Sequence, residues 1–388
     1  MTTFMSALTR QDACPAARIA AIPSANDRAL AVLLDRCQAF SPEYGDGLST
    51  HLPMALQALH GLGAPPARLH ALFDLIAPRL PLRPHSAGHR HDSPQDSPQD
   101  SPPGHALPAL ARPDDWPLLR GRIEAIETLR QALAHIAARD GLATTLSTTL
   151  PLLMPGVAAA ALHGLIRSAH GVAAGHADEL ISGLAYWAAR HAPLVAPACA
   201  LPIPSPAGPL RPLAAWLAGL QALPMPVGAA SRLIAQRMQA HAGVAGFAAV
   251  AGSLALDAQT LDALASHAAS LYAASGNFTV LHLVTGCQAM RVLMPWLADV
   301  PGALRHFSIA AAAALRASGL RQIDLASPTP NPTAALLPWA ETVRLAIASD
   351  DEHVIKLVQA CRCHHAASGA AVFQAAASRA VQDSIDAP

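Results

Sequence analysis

The chain is nearly without lysine. Of its 26 basic residues, 25 are arginine and one, Lys356, is lysine. Charge of either sign is scarce: 26 acidic residues balance the basic ones, and charged residues make up 13% of 388 positions. With zero formal net charge there is no basic footprint for a phosphate backbone, which argues against a nucleic-acid partner. Aromatics are only 4%, and with isoleucine also scarce there is little strand-forming material. The six cysteines, Cys14, Cys37, Cys199, Cys287, Cys361 and Cys363, are scattered, which excludes a small secreted disulfide framework.

Long apolar runs are missing too. The uncharged stretches 141–166, 191–210 and 268–290 are broken by Pro151 and Pro155, by a run of prolines, and by Asn277, His282 and Gln288. None reads as a membrane span of ~20 apolar residues. Met1 to Ala21 carries Arg10, Asp12 and Arg18 without a continuous apolar core, so no signal peptide is expected. The expectation is a soluble, reduced, cytoplasmic protein with no membrane partner.

What the chain has is helix-forming material. Hydrophobic residues make up 52%, and apolar positions recur at three- and four-residue spacing. The pattern predicts an all-α protein, one large multi-helix domain over 1–388. Helices are expected near 27–40, 49–62, 66–77, 115–139, 156–171, 176–191, 211–222, 227–241, 244–252, 257–273, 277–297, 301–317, 334–348 and 350–366. Asp257, Asn277 and Asp350 are expected as N-caps. One segment departs: residues 84–105, with a D-S-P-Q repeat and His85, His89, His91 and His105, read as a disordered, solvated insertion.

Common nucleotide and nucleophile signatures are absent: there is no Walker loop and no G-x-S-x-G. Gly45-Asp46-Gly47 has Thr50 where a dinucleotide fingerprint needs its third glycine. Cys361-Arg362-Cys363-His364-His365 suggests zinc, yet the two thiols fall on different helix faces and no second C-x-x-C completes a site.

Nineteen histidines are many. Four lie in apolar, helical, weakly charged surroundings on separate predicted helices: His51, His163, His282 and His353. Singly, each reads as a core histidine. Together they are what a metal site inside a helical bundle needs. Lys356 follows His353 by three residues and so shares its helix face. An i,i+4 salt bridge with Glu352 is the plain explanation, but arginine serves that role equally well and dominates this chain. Arginine cannot lose its proton, whereas a buried lysine can. A neutral amine can ligate metal, form a Schiff base or capture CO₂ as a carbamate.

The stretches Ser41–Leu56 with Leu59–Ala64, Ala161–Arg167, Leu281–Thr285 and His353–Leu357 resemble the questin oxidase-like family, in order and over most of the chain. The family includes fungal proteins that oxidatively open anthraquinone rings. One branch is similar to a non-heme iron dioxygenase whose iron is held by four histidines and a carboxylated lysine. The resemblance implies Fe(II) held by His51, His163, His282, His353 and Lys356 bearing a CO₂-derived carbamate. It implies O₂ and a small polycyclic aromatic or quinone-like substrate as partners, with oxidation or cleavage of a ring as the reaction. Five ligands would leave one of six positions open. Thr285, Arg167 and Tyr44 are candidate orienting groups, and Asp350 or Glu352 could accept from a ligating imidazole. His170 departs from the family pattern, which leads one to expect an aromatic residue there. Three other readings stand beside this one: an NADPH-dependent Baeyer–Villiger-like monooxygenase, without a dinucleotide motif to support it; a zinc or two-metal hydrolase; and a non-enzymatic helical binding protein.

Overall fold

Several helix starts in this chain are made by side-chain caps or by prolines. The computed structural model describes residues 24–83, 110–195, 209–228, 231–320 and 336–386; the low-complexity stretch 84–105 lies outside them. Helix α1 (Ala25–Cys37) opens on a capping box between Ser24 and Asp27 and buries Leu30, Leu33 and Leu34. A two-residue hairpin follows, β1 (Glu43–Tyr44) and β2 (Leu48–Ser49), pairing Glu43 with Ser49. It delivers the chain to α2 (Leu52–Leu62), whose N-cap is His51, and then α3 (Pro66–Ile76).

The middle of the chain holds α4 (Ile126–Asp140), α5 (Leu142–Leu153), α6 (His163–Ala174) and α7 (Ala177–Ala189). Then come α8 (Leu213–Gln221), α9 (Ile234–Ala242), α10 (Phe247–Ala251), α11 (Thr260–Ser275) and α12 (Phe278–Leu293). The chain ends with α13 (Val300–Ala317), α14 (Trp339–Ala348), α15 (Glu352–Ser368) and α16 (Val372–Asp386). The fold is all-α, as the apolar spacing predicts; among the described residues the hairpin is the one named sheet. No helix of the described residues is long and apolar enough to cross a membrane.

Several boundaries differ from expectation for local reasons. The helix expected over 115–139 splits: Pro113–Leu119 is a 3₁₀ segment with Pro117 inside it, and the α-helix starts only at Ile126. The helix expected over 227–241 is shortened to α9, because the Ser231 hydroxyl accepts from Leu233 N–H and holds a turn there. The helix expected to start at 156 starts at His163, after Ala160, Ala161 and Leu162 take left-handed φ angles of 47°, 56° and 72°. Two helices were not expected. In α5, Pro151 falls two residues before the end, where its missing N–H costs one hydrogen bond rather than the helix. The other, α16, packs on α11 and α15. Asn277 caps α12 as expected. Asp351, not Asp350, caps α15, and Gln259 precedes α11 with Asp257 accepting from its N–H.

Four helices form a closed ring. α2 packs on α6, α6 on α12, α12 on α15, and α15 back on α2. The α6–α7 contact is close. A Cβ on Gly171 would sit 2.6 Å from Leu180 N, and one on Gly183 would sit 2.7 Å from Ser168 N. Only glycine lets the two backbones approach this way.

Candidate metal centre

The four histidines singled out from the sequence all stand at or near a helix start. His51 is the N-cap of α2, His163 is the first residue of α6, and His353 is the second of α15. His282 is one turn into α12. Because these helices are the four of the ring, their N-terminal ends meet at one place. Helix N-termini carry unpaired N–H groups and partial positive charge. The meeting point therefore favours an anionic group alongside any ligand that the imidazoles hold.

The rings are in contact. His51 and His163 stack with centroids 4.7 Å apart and planes 18° from parallel. His163 meets His282 at 4.9 Å, and His353 meets His51 at 4.5 Å and His282 at 5.6 Å. Ring nitrogens of His51, His163 and His282 lie within 4.8 Å of one another, and all three residues are buried. These three imidazoles are close enough to hold a metal ion. The Nε2 of His353 is buried with no hydrogen-bond partner.

Backbone and carboxylate acceptors set the tautomers. His163 Nδ1 lies 2.5 Å from the Ala160 carbonyl and His282 Nδ1 lies 2.8 Å from the Phe278 carbonyl. His353 Nδ1 is 3.3 Å from Asp351 Oδ1. A carbonyl accepts only, so in His163 and His282 the proton is on Nδ1 and Nε2 carries the lone pair. The 2.7 Å approach of His51 Nε2 to His163 Nε2 then needs a proton or a cation between them. Two nitrogens each ~2.1 Å from one ion at a right angle would be about 3 Å apart.

Burial decides the charge state. It pushes the pKa values of His51 and His282 well below the ordinary imidazole range, with neighbouring positive groups adding to the effect. His163 falls to about 3 by burial and then the Lys356 charge. His353 is lowered by burial, partly offset by Asp351. The rings are therefore neutral donors at neutral pH. Lys356 is 3% exposed, and burial lowers its pKa to about 8, against the opposing pull of Glu352 and then Asp351. Burial raises the Glu352 carboxyl. Glu352 Oε1 is buried without a hydrogen-bond partner.

The other candidates make contacts of their own. Arg167 is buried one turn along α6 from His163 and gives Nε and Nη2 to Glu179 at 2.6 and 2.9 Å. Those two donors tie α6 to α7. The Thr285 hydroxyl donates back along α12 to the carbonyls of Leu281 and His282. Tyr44 is half-buried in β1, its phenol pKa raised by burial and then by the Glu352 charge. Asp350 pairs with Arg68 at 2.8 Å, so the acceptor for His353 is Asp351 instead. His170 gives or shares a proton with Gln57 Oε1 at 2.5 Å, and its pKa is about 3 by burial and then Lys356. In the Cys361–His365 run, Cys361 is buried, His364 Nε2 meets the Val284 carbonyl and His365 Nδ1 the Ala370 carbonyl; these are packing contacts between helices and turns.

No family model and no curated protein matches this chain. The centre is defined by its own geometry. Three participants were not singled out from the sequence: the Ala160 carbonyl, Asp351, and Phe278, whose ring touches those of His282 and His353 at 4.8 and 4.6 Å. Asn277 ahead of Phe278 and Asp351 ahead of His353 were the available signals, since a cap fixes which side chains stand on the first turn.

Proposed function

We propose that the protein is a non-heme Fe(II)-dependent oxygenase that uses O₂ to oxidise or cleave a ring of a polycyclic aromatic or quinone-like substrate. The observation that carries this reading is the convergence of His51, His163 and His282 as buried, neutral imidazoles, with His353 and the lone lysine on the same ring of helices. The donor set fits a first-row transition metal, for which imidazole is a suitable ligand. The partnerless Nε2 of His353 and the close Nε2 pair of His51 and His163 fit a shared cation. The resemblance to the questin oxidase-like family supports the choice of iron and the substrate class.

His51, His163, His282 and His353 would hold the iron, with Lys356 as the oxygen donor once carboxylated. Iron, when bound, supplies the means to bind and reduce O₂, which the side chains alone lack. In the modification the Lys356 amine adds to CO₂ and releases one proton, leaving a carboxylate on nitrogen. The surrounding helix starts favour that negative charge. The Ala160 and Phe278 carbonyls and the Asp351 carboxylate hold the imidazoles in the tautomer whose Nε2 can donate its lone pair.

The test is iron content and O₂ uptake, with 1,8-dihydroxyanthraquinone present, for the wild type, Lys356→Ala and Lys356→Arg. Both variants are expected to lose iron and oxygen uptake by at least about tenfold, the low end for removing a group that supports a metal site. Retention of both properties by both variants would overturn the carbamate. Zinc in place of iron in the wild type would favour the hydrolase reading instead.

A further inference from the structure

We propose that Phe278 is the contact on which a flat aromatic substrate stacks as it reaches the centre; the proposal rests on the oxygenase reading above. Phe278 is the first residue of α12. The Asn277 side chain accepts from Thr279 and Val280 N–H at 3.0 and 3.1 Å and pins that turn. The Phe278 carbonyl receives the His282 Nδ1 proton. Its ring meets His282 at 73° and His353 at 61° between planes. One residue thus orients an imidazole through its backbone and borders two imidazoles through its side chain.

Exposure separates it from the three buried imidazoles. Phe278 is 51% exposed, whereas His51, His163 and His282 are 7%, 7% and 3% exposed. The other large aromatic cores behave differently: Phe73, Phe247, Phe307 and Phe373 are at most 3% exposed. A single exposed apolar side chain is ordinary on any surface. One that also touches two metal-site imidazoles is the boundary between that site and solvent, so a molecule approaching on this side meets it. The ring meets His282 and His353 in T-shaped contacts and keeps accessible area beyond them. An aromatic ring packs against another flat ring by offset stacking or edge-to-face contact, and an electron-poor quinone suits its negative face.

The experiment measures the dissociation constant of 1,8-dihydroxyanthraquinone for iron-loaded wild type, Phe278→Ala and Phe278→Trp, alongside iron per chain. Loss of the ring in Phe278→Ala is expected to weaken binding about tenfold, with Phe278→Trp restoring it and iron content equal in all three. Equal binding by wild type and Phe278→Ala overturns the stacking contact and leaves the oxygenase reading standing. Loss of iron from Phe278→Ala also overturns it, since the ring would then serve the centre's integrity. Failure of the iron-loaded wild type to bind the probe overturns the substrate class and the contact together.

Discussion

At the scale of single residues, the centre depends on groups that do not themselves face the gap between the imidazoles. Asp351 has two tasks: its carboxylate accepts from His353 N–H at 2.8 Å as the helix cap and lies 3.3 Å from His353 Nδ1. Replacement by asparagine keeps a good cap while removing the charge; replacement by alanine removes both. Asp351→Asn should weaken iron binding about 10–100-fold with little change in stability. Asp351→Ala should add a stability loss of about 1 kcal/mol. Iron titration with parallel urea unfolding separates the two, and equal iron affinity in wild type and Asp351→Asn would show that the carboxylate does not support His353. The residues legible from sequence were those whose chemistry is odd for their surroundings: His51, His163, His282 and His353 in apolar helices, and a lysine in an arginine chain. Asp351 was not among them, because an acidic residue ahead of a helix is common and only coordinates distinguish the cap from its neighbour Asp350, which goes to Arg68.

At the scale of elements, the turn before α6 is the strained part. An alanine or leucine in the left-handed region costs roughly 1–2 kcal/mol, and Ala160, Ala161 and Leu162 occupy it in succession. Tertiary contacts hold them there. Leu162 is fully buried, and its Cδ1 fills the space that a Cβ on Gly286 would need, at 2.7 Å. The turn also aims the Ala160 carbonyl at His163. No local sequence rule announces such a turn, because Ala-Ala-Leu favours an ordinary helix; that is why the helix expected from 156 begins only at His163. The place of α6 is set from its other side by glycine contacts with α7. A Cβ on Gly171 would sit 2.6 and 2.7 Å from Leu180 N and Cα, which are backbone atoms that cannot swing aside. Gly171→Ala should therefore lower unfolding free energy by about 1–3 kcal/mol, as overpacking does. It should also weaken iron binding, because His163 moves with α6. Urea midpoints and iron titration check this; a variant matching the wild type in both would mean that the contact is looser than described.

At the scale of the whole molecule, the ring of α2, α6, α12 and α15 explains how residues more than 300 positions apart meet. Each of these helices starts at the centre, and the elements between them in the chain lie around the ring. α7 backs α6, with the buried Arg167–Glu179 pair and Gln38 of the loop after α1 joining the two layers. α11 and α16 back α12 and α15. The all-α class was readable from composition and periodicity, since helix-forming residues and three-to-four spacing persist throughout. The ring closure was not, because which helix packs on which depends on face-to-face fit and not on any single helix's pattern. The scarcity of lysine, first a matter of composition, acquires a location here: Lys356 is buried one turn below His353, where a permanently charged arginine would hold its charge against the imidazole cluster.

The most direct test is anomalous scattering at the iron edge from crystals of the iron-loaded protein. The account predicts one peak per chain, within about 2.0–2.3 Å of ring nitrogens of His51, His163, His282 and His353. A peak held by other residues, or none among these four rings, would contradict it.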